Sequence, residues 1–319
     1  MKRKWCFLVL LVVMLASCQE GKQSNSSEIT VYSPYPKGLI QPVLKEFEQQ
    51  ENVKVNIRHG STQVLLSELH RTSKKERGDV FIGGVLSEVI ENTDDFVPYR
   101  SPDKDKFRDV AIQSNIVTSF MLMPAVIVVN TDVQGDIVIR GYKDLLQHDL
   151  KNKVAYPNPH TTTTGYQHMR AIFSMSNDVQ DVYRFDNRAI QLSKSSQVIK
   201  EVSEGKYYAG LSYEQDARTA IKKGYPLKII YPAEGTMLNI DGIALVNTED
   251  PHPKREALMR YLTSYKVQQR LAKEFGVKPI RKDVDETETE ETKQLSDIPI
   301  IPKSTLPKMS HKIFLENIE

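Results

Sequence analysis

The alternation of short strands and helices early in this 319-residue chain most strongly constrains its fold. Glu28–Ser33 alternates apolar and polar side chains as a strand does, and Leu39–Gln50 carries apolar residues at helical spacing. A second strand at Val53–Arg58, a helix at Gln63–Thr72 and a short apolar strand at Asp79–Ile82 follow. Strand–helix–strand order predicts a parallel sheet covered by helices, and therefore an α/β fold.

The rest of the chain continues this alternation. Phe120–Asn130 is a long apolar run that predicts a buried strand, and Arg255–Phe275 predicts one long amphipathic helix. Further strands are predicted at Lys153–Tyr156, Tyr208–Ser212, Leu227–Tyr231 and Gly242–Val246, and further helices at Tyr142–Gln147, Thr164–Ser176, Asp178–Phe185, Ser195–Glu204 and Glu214–Lys223.

The N-terminus carries an export signal. Three basic residues precede an apolar run from Trp5 to Leu15, which is too short for a permanent membrane span of ~20 residues. The run ends in Leu-Ala-Ser-Cys18, which resembles the lipobox of bacterial lipoproteins, in which the cysteine is lipidated and becomes the mature N-terminus. We therefore predict a signal peptide at 1–17, a lipid anchor on Cys18 at the outer face of the membrane, and a polar tether at 18–27. An ordinary secretory signal with an incidental cysteine is the alternative.

Charge and cysteine content exclude several classes of protein. The net charge is +2, and three of the positive charges lie in the signal, so the mature chain is nearly neutral and not suited to nucleic acid. The two cysteines are Cys6, which leaves with the signal, and Cys18. The mature fold is therefore expected to contain no disulfide and to depend on its own core.

Candidate binding residues lie where strands lead into helices. Three such junctions contain hydroxyl side chains: Ser33-Pro34-Tyr35, Gly60-Ser61-Thr62 and Thr161–Tyr166. A helix N-terminus has unpaired N–H groups and a positive dipole end, so added hydroxyls favour an oxyanion such as phosphate. The alternative is that Ser61 and Thr164 are simple N-caps.

Carboxylates provide the second kind of candidate. Glu214 follows one predicted strand and Asp241 precedes another, so either could accept hydrogen bonds from sugar hydroxyls or bind a metal. Capping of the following helix is the alternative for Glu214. Nucleophile, metal and phosphate-loop motifs of the known catalytic kinds are missing, and the histidines are scattered. We therefore expect neither an enzyme nor a metal site nor a cofactor.

Four stretches, taken in order, resemble the bacterial extracellular solute-binding proteins of family 1, the receptors of ABC importers, in the branch that binds ferric iron, hexose phosphates and phosphonates. The stretches are Gly60–Leu66 with Gly78–Gly84, Asn158–Tyr166, Gly205–Asp216, and Asp241–Val246 followed by Pro251–Asp283. Together they span nearly the whole mature chain.

The resemblance implies a periplasmic-binding-protein-like type II fold, with two lobes, a hinge of two crossing strands and a ligand cleft. It places lobe one at 28–110 plus 237–319 and lobe two at 111–236. Closure by hinge motion is the expected conformational change. The predicted ligand-binding residues are Ser33, Ser61, Thr62, Gly84, Thr163, Thr164, Gly165, Tyr213, Glu214 and Asp241.

The ligand predicted from these residues is a small phosphorylated anion, a hexose phosphate ahead of a phosphonate. Iron receptors of this branch carry adjacent tyrosines where this chain reads Ser212-Tyr213-Glu214, which argues against ferric iron. The expected partner of the monomer is an ABC permease. The alternatives are a sensing role with a membrane histidine kinase, a ferric-iron receptor and an extracytoplasmic enzyme.

Overall fold

A computed structural model describes residues 28–286, 289, 291–306 and 309–318. The predicted signal peptide, Cys18 and the tether lie outside the described residues. Within the described residues, no helix has both the length and the apolar character needed to cross a bilayer.

The first part of the chain forms the predicted strand–helix alternation. Strands β1 (Glu28–Ser33), β2 (Lys54–His59) and β3 (Val80–Ile82) are parallel, and β1 lies between the other two. Helix α1 (Lys37–Glu51) buries its five apolar residues, Leu39, Ile40, Val43, Leu44 and Phe47. Helix α2 (Thr62–Arg71) follows β2, and the short helix α3 (Leu86–Val89) and strand β4 (Phe96–Val97) follow β3.

The middle of the chain builds a second group of strands and helices. Its elements in order are β5 (Val117–Asn130), β6 (Val154–Pro157), α4 (Thr163–Ser174), α5 (Val179–Asp186), β7 (Ile190–Leu192), α6 (Ser195–Ser203), β8 (Ala209–Tyr213), α7 (Glu214–Lys222) and β9 (Leu227–Ile230). The predicted helix at Tyr142–Gln147 is a 3-10 turn at Lys143–Leu146. Apart from β7, which the sequence pattern does not predict, these strands and helices occur close to their predicted positions because their apolar residues face buried cores.

The chain then returns to the first sheet. Strand β10 (Leu238–Val246) is antiparallel to both β3 and β5. Helices α8 (Arg255–Leu262) and α9 (Tyr265–Arg270), a π-helical turn at Leu271–Phe275, strand β11 (Lys278–Pro279) and helix α10 (His311–Asn317) complete the described chain.

Strand β5 joins the two groups of strands. The first sheet has the order β2-β1-β3-β10-β5, and the second has the order β5-β8-β6-β7, with β9 on the other side of β5. β5 pairs with β10 as far as Pro124, which lies opposite Leu238, and with β8 from Ala125 onward. All of β5 is buried. The change of partner marks the crossing between the two lobes of this mixed α/β fold.

The prediction of one helix over Arg255–Phe275 is wrong. The helix ends at Leu262, and Ser264 begins a new one because its side chain accepts a hydrogen bond from the Val267 N–H at 3.4 Å. The last turn widens into a π-helix and ends at Gly276, whose φ of +67° favours glycine.

The C-terminal helix packs on the second lobe. His311 and Phe314 of α10 contact the ring of Tyr166 in α4, with centroids 4.5 and 5.7 Å apart, and Phe314 also contacts Phe173. The family resemblance implies lobe one for the whole of 237–319. Helix α10 instead packs on the second lobe, because its aromatic face is complementary to α4. The strand pairing likewise places Val117–Pro124, which the predicted boundary at 111 assigns to lobe two, in the first sheet.

Candidate functional site

The first-lobe wall of the site is built from the ends of β1 and β3 and the start of α2. Ser33 is fully buried, and its Oγ accepts a hydrogen bond from the Tyr35 N–H at 3.3 Å. Gly84 has φ +70°, and a Cβ there would lie 2.5 Å from Thr62 Oγ1. Only glycine therefore allows the turn after β3 to approach the start of α2 so closely. Ser61 precedes α2 but makes no side-chain capping bond.

The second-lobe wall is built around the start of α4. Thr162 is the N-cap, because its Oγ accepts from the Gly165 N–H at 3.1 Å. The next two hydroxyls, Thr163 and Thr164, are therefore not used for capping, and Thr164 Oγ1 accepts from Ser195 Oγ at 2.9 Å. A Cβ at Gly165 would lie 2.1 Å from the Pro157 carbonyl oxygen, so the helix start packs directly on the end of β6.

Asp241 of β10 connects these walls. Its Oδ2 accepts from the Tyr35 phenol at 2.7 Å, while its Oδ1 is buried and has no hydrogen-bond partner among the described residues. The Tyr213 phenol, at the end of β8, is buried close to the hydroxyls of Thr163 and Thr164 and to Asp241, and it too lacks a partner there. Residues of both lobes thus present unused polar atoms to one place.

Asn239 belongs to the same group. It precedes Asp241 by two residues in β10, so the two side chains point to one face of the strand. Asn239 is only 1% exposed, and both of its amide atoms lack a partner among the described residues. Buried polar atoms are normally hydrogen-bonded, so this concentration of unpaired ones indicates a place for a polar ligand.

Burial also controls the charge of the site. It raises the pKa of Asp241 to about 6, and the Tyr35 phenol and the Gly84 N–H oppose the rise by stabilising the carboxylate. Burial likewise raises the pKa of Asp216, in the first turn of α7, to about 6. The pKa of the Tyr213 phenol rises further above its usual range, chiefly through burial and then through the charge of Asp241. A ligand that donates hydrogen bonds to these oxygens would relieve the penalty of burying them.

Glu214 is directed elsewhere. Its carboxylate accepts from the Tyr231 phenol at 2.8 Å and lies 3.3 Å from Lys278 Nζ, with both partners of that ion pair almost fully buried. Lys278 also lies 3.4 Å from Glu286, which pairs with Arg108. Burial raises the pKa of Glu214, and Lys278 opposes that rise. Although Glu214 follows Tyr213 directly in the chain, its side chain points away from the candidate site and forms part of this ion network.

His168 has a structural environment. It is completely buried, its Nε2–H donates to the Ser212 carbonyl at 3.0 Å, and its Nδ1 accepts from the Tyr142 phenol at 2.9 Å. These partners suit the neutral ring, which burial favours by lowering the pKa of His168 to about 4. Within the described part of the chain, no three His, Cys, Asp or Glu side chains are grouped as a metal site would require.

Sequence comparison identifies the family of this two-lobed fold. The sequence model of the family of bacterial extracellular solute-binding proteins matches residues 29–276. The chain belongs to this family. Its members are receptors that bind a small solute outside the cytoplasm, so this solute-binding protein is extracytoplasmic.

Known proteins similar to this solute-binding protein differ in what they do. It is 61% identical to a solved protein described as a two-component system protein that mediates signal transduction, with a TM-score of 0.87 over 91% of this chain and 99% of that one. AfuA of Actinobacillus pleuropneumoniae, solved with fructose-6-phosphate bound, is 16% identical with a TM-score of 0.81, covering 91% of this chain and 96% of AfuA. An uncharacterized protein of Haemophilus influenzae is 21% identical over 71% of this chain and 70% of its own length.

The structure thus brings eight of the ten predicted residues into one neighbourhood: Ser33, Thr62, Gly84, Thr163, Thr164, Gly165, Tyr213 and Asp241. Ser61 directly precedes Thr62 but makes no side-chain capping bond, and Glu214 points into the ion network. Their roles in ligand binding stay predictions. Tyr35 and Asn239 were missed. A signal for Asn239 was available, since it shares the strand face of Asp241, whereas the contact of Tyr35 with Asp241 depends on the tertiary fold.

Proposed function

We propose that this solute-binding protein captures a phosphorylated sugar in the cleft and reports its presence to a membrane sensor kinase. The single observation that carries the ligand assignment is the chemical difference between the two parts of the site. One part offers hydroxyls and helix N-termini, and the other offers buried carboxyl and amide oxygens. A sugar phosphate has an oxyanion at one end and hydroxyl donors at the other.

The phosphate-binding part is assigned to the starts of α4 and α2. Thr163 and Thr164 lie in the first turn of α4, where backbone N–H groups and the positive end of the helix dipole favour an anion. Because Thr162 performs the capping, neither hydroxyl is used at the helix N-terminus, and Thr164, which accepts from Ser195, can still donate its own O–H to a ligand. Thr62, in the first turn of α2, contributes the same chemistry from the other lobe.

The sugar-binding part is assigned to Asp241, Asn239 and Tyr213. Asp241 Oδ1, both Asn239 amide atoms and the Tyr213 phenol lack partners among the described residues. Ring hydroxyls would donate to the carboxylate and accept from the amide N–H or the phenol. AfuA shows that the fold accommodates fructose-6-phosphate, although at 16% identity it supports the fold alone.

The sensing role rests on the relative with 61% identity, which is described as a component of two-component signal transduction. In this role, the lipid anchor predicted at Cys18 would hold the receptor near a membrane histidine kinase, and lobe closure would be the signal. A receptor subunit of an ABC importer is the second candidate, favoured by the family match itself.

A thermal-shift screen of the mature protein tests the ligand. Fructose 6-phosphate, glucose 6-phosphate, an aminoalkylphosphonate, inorganic phosphate and ferric citrate are compared with unphosphorylated fructose. A ligand at 100 times its dissociation constant stabilises the protein by ~2.7 kcal/mol. We expect the shift with a sugar phosphate and none with free fructose. The proposed ligand would be refuted if only ferric citrate raised the unfolding temperature, or if none of the phosphorylated compounds raised it.

Uptake measurements separate the two outputs. The gene is deleted in cells that express the corresponding sugar-phosphate transporter from a constitutive promoter, and uptake of the labelled sugar phosphate is followed. A sensor is dispensable under these conditions, so uptake should persist. Loss of uptake would identify an importer subunit instead.

A further inference from the structure

A polar cluster joins the two lobes beside the candidate site. Arg170 Nη1 forms an ion pair with Glu88 Oε2, and Gln167 Nε2 donates to the same oxygen at 2.8 Å. Glu88 lies in α3, which follows the Gly83–Gly84 turn of the first lobe and packs on β10. Arg170 and Gln167 lie in α4 of the second lobe. Separation of the lobes would break all of these contacts.

The second-lobe half of this cluster is held in place. The Arg170 guanidinium lies over the ring of Tyr166, 5.3 Å from its centroid, and Arg170 Nη1 also donates to Gln167 Oε1 at 3.4 Å. The other partners of Tyr166 are His311 and Phe314 of α10. Gln167 is fully buried, and Arg170 is 9% exposed. A donor pair fixed in this way forms an ion pair at little cost in side-chain entropy.

We infer that Glu88, Arg170 and Gln167 form a latch that stabilises the closed arrangement of the lobes. The latch residues are positioning residues: they set the fraction of receptor that is closed, and the ligand binds elsewhere in the cleft. Apparent affinity scales with the binding-competent fraction, so a weaker latch lowers affinity without loss of a ligand contact. Only this effect on affinity rests on the proposed function.

One competing arrangement is specific enough to test. Arg170 could itself bind the ligand phosphate, with Glu88 as its partner only until the ligand arrives. The two arrangements predict opposite results for Glu88→Gln. Loss of a latch weakens ligand binding, whereas loss of a competitor for Arg170 strengthens it.

The first experiment measures the ligand-free mature protein by small-angle X-ray scattering. Glu88→Gln keeps the shape of the side chain and removes its charge, and Glu249→Gln, at an exposed carboxylate of the first lobe that follows β10, is the matched control. We expect a larger radius of gyration for Glu88→Gln and for Arg170→Gln, and the wild-type value for Glu249→Gln. Equal values in all four proteins would overturn the latch. Circular dichroism confirms that each variant is folded.

The second experiment titrates fructose 6-phosphate into the same proteins by calorimetry. We expect binding to weaken by about 10-fold in Glu88→Gln, within the usual range of conformational coupling, and to be unchanged in Glu249→Gln. Tighter binding by Glu88→Gln would assign Arg170 to the phosphate instead. If the wild-type protein binds no sugar phosphate, the proposed function fails, while the scattering comparison still decides whether the latch exists.

Discussion

The Tyr35 phenol donates a hydrogen bond to Asp241 Oδ2 at 2.7 Å, although 206 residues separate the two in the chain. The bond fixes the turn after β1 against the strand that returns from the second lobe. It also occupies one carboxylate oxygen and leaves the other directed to the candidate site. Asp241 is therefore held in one orientation before any ligand is present.

Replacement of Asp241 by asparagine should stabilise the ligand-free protein at neutral pH. Because the folded-state pKa is about 6 and the usual value is 3.8, the unfolded chain loses its proton first as pH rises between these values. The free energy of unfolding therefore falls over this range, by up to about 3 kcal/mol. Asparagine still accepts from Tyr35 and carries no charge, so denaturation should show the gain at pH 7.5 and none at pH 3.5. Asp149→Asn, at an exposed site, is the control.

Replacement of Thr164 by valine should weaken binding of the sugar phosphate. Valine removes the hydroxyl and leaves Ser195 without its acceptor. A lost hydrogen bond of ~1 to 1.5 kcal/mol corresponds to a roughly 10-fold higher dissociation constant. Calorimetry should show near-normal affinity for Thr164→Ser, which retains the hydroxyl. Unchanged affinity in the valine variant would reduce Thr164 to a structural residue.

Acid sensitivity should depend on His168. The folded protein binds a proton on this ring only near pH 4, whereas the unfolded chain binds it below about 6.5. The contribution of this pKa difference to the free energy of unfolding is therefore fully present above pH 6.5. It amounts to about 3 kcal/mol and is lost as the pH falls towards 4. Glutamine can keep both hydrogen bonds without titrating, so His168→Gln should show a flatter pH profile in urea denaturation. His148→Gln, at an exposed site, should follow the wild type.

The ion network around Lys278 should be sensitive to loss of one member. Lys278→Met leaves Glu214 and Glu286 buried without their shared cation, and such a loss typically costs ~3 to 5 kcal/mol. Lys200→Met removes an exposed helix pair and should cost under ~0.5 kcal/mol. Equal unfolding free energies for the two variants would show that the network contributes nothing to stability.

The sequence correctly predicted those helices and strands whose apolar residues repeat at a regular spacing over enough residues to be recognised. The apolar spacing of α1 and the alternation of β1 each require only a few neighbouring residues, and both elements lie within three residues of their predicted ends. Strand β7 has three residues and α10 has seven, so neither provides a readable period. The long predicted helix failed at Ser264, where one capping side chain outweighs a continuous apolar pattern.

The candidate site was predictable where it follows strand ends and not where it depends on long-range contacts. Ser33, Thr62 and Thr164 occupy positions at which parallel α/β sheets present ligands, so their junctions could be read from the sequence. The role of Tyr35 requires the return of β10, and the orientation of Glu214 requires Lys278, which lies 64 residues later in the chain. The contact of Glu88 with Arg170 similarly exists only once the lobes are placed together.

Strand β5 connects the lobes as a single buried extended segment, with Pro124 at the change of partner. Because this connection is fully extended, a small rotation at Pro124 displaces each lobe in proportion to the distance from Pro124. The displacement that a membrane partner could detect is therefore greatest at the surfaces farthest from the cleft. Such a partner would respond to the movement of the lobes and would need no contact with the ligand.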